Sequence, residues 1–159
     1  MTDNSRIMET LMGFFKDIEL LEEGKSVDLE EAISAIPWGS DGLIPAIAQQ
    51  FDSKEVLMLA WLSEDALRET LKTGFATYFS RSRQKLWKKG ELSGQTQALK
   101  EMRLDCDGDA ALILVDQNGP ACHTGRRKCF YLKISGNRLI NDKKILISPE
   151  KLYEKGNKS

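Results

Sequence analysis

The chain has 159 residues, 41% of them hydrophobic and 30% charged, enough for one ordinary domain with its own core and too apolar for a disordered chain. Its net charge of -1 gives no overall pull toward nucleic acid or a membrane surface. No apolar run reaches the roughly 18 residues that span a bilayer, and MTDNSRIMETL lacks the basic-then-apolar layout of a secretory signal, so a cytoplasmic protein is expected.

Apolar side chains at Ile7, Leu11, Phe14, Phe15, Ile18 and Leu21 follow a helical period, which predicts an amphipathic helix over Ile7 to Glu22, stopped by Gly24. A short helical piece is expected over Asp28 to Ile36, ahead of Pro37. LIPAIAQQF and KEVLMLAWL then read as two strands of a hairpin around Asp52–Ser53. Ser63 is a good N-cap for a helix that begins Glu64–Asp65 and runs to about Thr73, with Gly74 as its C-cap. Further strands are predicted at about Ala76 to Ser80, Ala98 to Leu104 and Ala110 to Asp116, and in KCFYLKI before the turn Ser135–Gly136–Asn137. No repeat, low-complexity segment or linker interrupts this order, so the expected class is α+β, a single domain with a largely antiparallel sheet flanked by helices.

The ligand-forming residues are unevenly spread. DCDGDAALILVDQNGPACHTGRRKCF, Asp105 to Phe130, holds all three cysteines, the only histidine and four aspartates. An odd cysteine count in a reducing compartment argues against a disulfide framework and for metal binding or catalysis. Cys122 follows Cys106 by sixteen residues and Cys129 follows by seven more, so no pair has the C-x2-C spacing of a zinc ribbon. His123 directly follows Cys122, and neighbouring side chains of extended chain point to opposite faces, which makes it an awkward fourth ligand. Three thiolates with an open fourth position match a catalytic zinc site, and His123 then becomes a proton carrier beside it. The competing reading is three small buried thiols.

Asp105, Asp107 and Asp109 alternate with Cys106 and Gly108. On an extended approach to ALILV they would share one face, a carboxylate cluster suited to magnesium, with Cys106 pointing away. A solvated acidic turn is the plain alternative. An EF-hand fails at its sixth position, where Ala110 replaces glycine. RSRQKLWKKG carries five cations and no acid, and Ser80, Ser82, Ser93, Gly90 and Gly94 surround it. Arg81 and Arg83 can fork phosphate oxygens, Lys85, Lys88 and Lys89 add point charge, and Trp87 can stack on a base or fill core. The alternative is an ordinary solvated basic face.

Together GLIPAIAQ, VLMLAW, ATYFSRSRQKLWKKGELSG, DCDGDAALILV and GPACHTGRRKCFY, spanning roughly Asp41 to Tyr131, resemble the phosphoribosyl-AMP cyclohydrolase family of histidine biosynthesis. The chain departs from the family pattern at Lys128, where serine is usual, and at Lys88, where histidine often follows the tryptophan. The resemblance implies an intertwined homodimer with shared active sites, zinc on Cys106, Cys122 and Cys129, and magnesium on Asp105, Asp107 and Asp109. It implies hydrolytic opening of the adenine ring of phosphoribosyl-AMP at the C6–N1 bond by a zinc-activated water, with His123 carrying the proton. Arg81, Ser82, Arg83, Trp87, Lys89 and Ser93 are the expected substrate contacts. Residues 1–36 are expected to be an N-terminal extension and residues 37–159 the catalytic domain, with no fused pyrophosphohydrolase domain after Tyr153. Two rivals differ in class. A zinc deaminase needs H-x-E and P-C-x-x-C, and neither occurs. A zinc-stabilised nucleic-acid module would bind through the basic stretch with a steep salt dependence and no turnover.

Overall fold

The computed structural model describes residues 13–154. Residues 13–18 are helical, shorter than the helix expected to Glu22, and the part expected over residues 7–12 lies outside the described residues. Helix α1 (Leu29–Ala35) starts where the Asp28 carboxylate accepts the Glu31 N–H at 3.1 Å. It ends at Ile36, which stands before Pro37 and has left the helical region with ψ 125°.

Strands β1 (Leu43–Gln50) and β2 (Val56–Ser63) form the expected antiparallel hairpin. Pro45 is tolerated in β1 because the second ladder of that strand begins only at Ala46, so its missing N–H costs no bond there. Ser63 caps α2 (Glu64–Thr73) by accepting the Ala66 N–H at 3.1 Å, and Gly74 closes it in the left-handed region at φ 76°. The buried Thr70 hydroxyl donates to Ala66 O at 2.8 Å and accepts the Thr77 N–H at 2.9 Å, which ties α2 to the strand that follows.

That strand, β3 (Thr77–Ser80), turns back as β4 (Lys85–Lys88), and β5 (Gln97–Leu104) turns back as β6 (Ala111–Gln117). The sheet order is β4-β3-β2-β1-β6-β5, antiparallel throughout except for the central parallel pair β1–β6. An antiparallel bridge between Phe75 and Ala98 joins the two halves again, so the mixed sheet curls on itself. Ile44, Leu57, Leu62, Tyr78, Ile113 and Val115 fill its inner face, and Ile33, Ile36 and Phe15 from the N-terminal segment enter the same core. No described helix is long and apolar enough to cross a membrane.

The expected strand KCFYLKI is only half formed. Lys128 to Tyr131 carry no strand, because the Cys129 N–H is spent on Leu57 O at 2.7 Å, outside any ladder. The strand proper, β7 (Leu132–Ser135), pairs only with β8 (Arg138–Asn141), apart from the main sheet. Residues 142–148 lead to a last short helix, α3 (Pro149–Glu154).

Candidate active site

The residues after β6 fold into a clamped loop. Arg127 holds it: Nη1 donates to Gln117 O at 3.1 Å and Gly119 O at 2.7 Å, Nη2 to Gln50 Oε1 at 3.0 Å, and Nε to Glu55 Oε1 at 3.3 Å. Gln50 Oε1 also accepts the Gln117 N–H at 2.9 Å, and Gln117 joins Gln97 and the Tyr78 hydroxyl in one buried chain of bonds. Every member of that chain has a partner, so it stiffens the floor under the loop instead of destabilising the core.

On this floor Cys122 is 5% exposed while the adjacent His123 is exposed, so neighbouring side chains part to opposite sides. The Thr124 hydroxyl lies 3.1 Å from the Cys122 sulfur. Cys129, anchored on β2 through Leu57 O, returns beside Cys122. Burial pushes the Cys129 thiol up to about 12, the Cys122 sulfur adds to the rise by its charge and a hydrogen bond, and Lys89 opposes it. Burial in turn lowers the pKa of the Lys89 ammonium, against the pull of the two sulfurs. The buried Cys122 thiol and the more open Cys129 thiol face one ammonium, a donor pair that a soft dication would convert to thiolates.

Cys106 is not in their company. It sits on the exposed turn that enters β6, whereas Cys122 follows the other end of that strand. Seven residues of strand separate those ends by about 20 Å. Among the described residues no three His, Cys, Asp or Glu side chains converge on a point that could hold a metal ion. One chain therefore brings together two of the three expected zinc ligands.

The aspartates form a tight turn, not the extended approach expected from their alternation. Asp105 O accepts the Gly108 N–H at 3.1 Å, and its carboxylate accepts the Asp109 N–H at 3.1 Å. A side-chain hydrogen bond with Asp105 raises the Asp109 pKa, followed by burial and the charges of Asp105 and Asp107. The same turn flanks an apolar cavity of about 460 Å³ that Cys106 lines together with Phe15, Leu67 and Met102.

Four of the six expected substrate contacts converge. Arg83, Trp87, Lys89 and Ser93 line a cavity of about 140 Å³, along with Lys88 and Tyr153. Trp87 backs onto Tyr78, their ring centres 5.4 Å apart, so it both packs and faces the cavity. Arg81 and Ser82 stand outside that lining, at the tip between β3 and β4; Arg81 lies over the Trp61 ring at 4.6 Å. The departure at Lys128 is absorbed by a 4.0 Å ion pair with Glu55, and Lys88 lies over the Phe75 ring at 4.5 Å. Sequence reading passed over Arg127, Gln50, Gln97, Gln117 and Tyr153. Only the placement of glutamines at inward positions of apolar strands hints at any of them.

A cavity lined by Arg83, Lys88 and Lys89, the last of them beside the Cys122–Cys129 thiols, defines a class, an enzyme site for a phosphorylated small molecule. Comparisons narrow it. The family model for phosphoribosyl-AMP cyclohydrolase matches residues 58–131. A phosphoribosyl-AMP cyclohydrolase of Alkalilimnicola ehrlichii is 56% identical over 141 residues, covering 89% of this chain and 99% of its own. That of Hydrogenovibrio crunogenus is 57% identical over 141 residues, covering 89% and 96%. A phosphoribosyl-AMP cyclohydrolase 2 of Pseudomonas fluorescens is 63% identical over 115 residues, covering 72% and 78%. The chain belongs to the phosphoribosyl-AMP cyclohydrolase family, whose members are hydrolases acting on C–N bonds.

Proposed function

We propose that the chain opens the adenine ring of 1-(5-phosphoribosyl)-AMP by hydrolysis, the third step of histidine biosynthesis. Water adds its oxygen to C6, the C6–N1 bond breaks, and N1 takes the proton and leaves as the formimino nitrogen that carries the phosphoribosyl group. The observation that carries this reading is the meeting of the Cys122–Cys129 pair, Lys89 and the cavity of Arg83, Trp87 and Ser93 in a chain of this family.

In this reading the cavity binds a phosphorylated end of the substrate through the Arg83 fork and the Ser93 hydroxyl. At about 140 Å³ it takes only part of the molecule, so the rest lies over the rim toward the thiols. His123, exposed beside buried Cys122, holds and moves the proton between water and ring nitrogen. Cys122 and Cys129, completed by Cys106 of a second copy, would hold zinc. Zinc bound there lowers the pKa of a water from about 15.7 toward about 7. Asp105, Asp107 and Asp109 would hold magnesium, whose charge offsets their mutual repulsion and that of a substrate phosphate.

The same geometry supports a homodimer as part of this reading. Cys106 would meet the thiol pair of a neighbouring chain, and the β7–β8 hairpin offers that chain a surface. All eight of its residues are exposed, Ile134 at 81% and Leu139 at 64%. An isolated two-stranded hairpin is marginal in water, and apolar surface of this kind marks an interface. The test is an absorbance assay of ring opening in metal-replete protein, after chelation and after zinc is restored. Turnover that chelation abolishes and zinc recovers is expected; a metal-replete protein without turnover would overturn the assignment.

A further inference from the structure

The chain past Tyr131 lies beyond the residues matched to the family model, yet it returns to the site. Arg126 Nε donates to Lys143 O at 3.0 Å, and the Leu146 and Ile147 N–H groups reach the Gly125 carbonyl at 2.9 and 3.3 Å. These bonds fasten residues 143–147 to the turn that carries Cys122 and His123. Gly125 has φ +83°, and a Cβ there would run into the Ile147 carbonyl oxygen, so the close approach requires glycine. From this strap α3 begins. A six-residue helix has no stability of its own, and its position is set by the strap and by Leu152, 2% exposed. The next residue, Tyr153, then lands against the cavity lined by Arg83, Trp87, Lys89 and Ser93.

We propose that Tyr153 is a substrate-positioning residue of this enzyme. The inference rests on the cyclohydrolase reading above and extends its site to an element that carries none of the motifs. A phenol at a basic cavity offers an apolar ring to a base or sugar and an O–H to a phosphate, which suits a phosphorylated nucleotide. Tyr153 is 43% exposed, so it forms a wall of the cavity that a ligand still reaches. Because strap and helix are one short segment, the same contacts that hold the thiol-bearing turn also place this wall.

The test is steady-state kinetics of full-length, metal-replete wild type, Y153A and Y153F on phosphoribosyl-AMP, with metal content and thermal midpoint measured alongside. Y153A is expected to raise KM roughly tenfold, as loss of an aromatic partner for a base does, with kcat within about twofold. Y153F recovers most of that loss if the ring acts; a KM as high as that of Y153A assigns the effect to the hydroxyl and supports the role equally. A merely structural tyrosine would lower the midpoint, the metal content and kcat together, and that pattern overturns the proposal. So does a Y153A enzyme with KM within about twofold of wild type. An inactive wild type would remove the cyclohydrolase reading before any variant is compared, and the role of Tyr153 with it.

Discussion

Asp109 shows how a single carboxylate reports on the turn around it. Its pKa is raised, first by the hydrogen bond shared with Asp105, then by burial and the charges of Asp105 and Asp107. A group whose folded pKa lies above its unfolded value, about 3.9 for aspartate, adds stability below that value. The contribution is lost as pH rises through the folded pKa, so at neutral pH the turn carries the mutual repulsion of its carboxylates. D109N should therefore raise the thermal midpoint slightly at pH 7 in a chelator. Magnesium should raise the midpoint of wild type more than that of D109N. A midpoint of wild type that is indifferent to magnesium would argue against a cation at these carboxylates. His123 poses a cleaner question, because it is the only histidine and it is exposed beside Cys122. As the proton carrier, its replacement in H123A should cut kcat about a hundredfold or more while bound zinc stays at the wild-type level. Retained turnover would remove it from the mechanism.

At the scale of elements, the loop between Gly119 and Cys129 depends on one side chain. The three guanidinium nitrogens of Arg127 serve four acceptors on β1, β6, the loop itself and Glu55. The side chain is only 28% exposed, so its removal leaves carbonyl groups short of partners. R127M should cost about 2 kcal/mol of unfolding free energy by urea titration. R127K should recover less than half, because an ammonium cannot match the fork. A lysine variant as stable as wild type would show that charge alone holds the loop. This clamp was invisible in the sequence, where nothing sets Arg127 apart from its cationic neighbours Arg126 and Lys128. The elements that were legible share a physical cause. The β1–β2 hairpin, capped α2 and the β5–β6 pair set buried positions against exposed ones or mark their ends with Ser63 and Gly74, and pattern reading depends on such contrasts. Strands β7 and β8 have no buried side within one chain, so their period carried little signal, and Lys128 to Tyr131 were taken into a strand they do not join. Both candidate metal-ligand sets were visible as residue types, but not that β6 would hold Cys106 away from Cys122.

That separation governs the whole molecule. With Cys106 at one end of β6 and the Cys122–Cys129 pair past the other, a three-thiolate site needs two copies of the chain. In a twofold-symmetric dimer each of two equivalent sites would then draw Cys106 from one protomer and the pair from the other. C106S and C122S should each be inactive alone, since every site in either homodimer lacks a ligand. Mixed by co-expression or by unfolding and refolding together, they form hybrid dimers. In each hybrid one site inherits both lesions and the other inherits none. Random pairing makes half of the dimers hybrid, so activity should return to about one quarter of wild type. Zinc bound with wild-type affinity should return in the same proportion. If all three ligands came from one chain, no mixture of the two variants would regain activity. Recovery near one quarter would place Cys106 and Cys122 of each working site on different protomers, and it would explain why their spacing fits no compact chelate in a single chain.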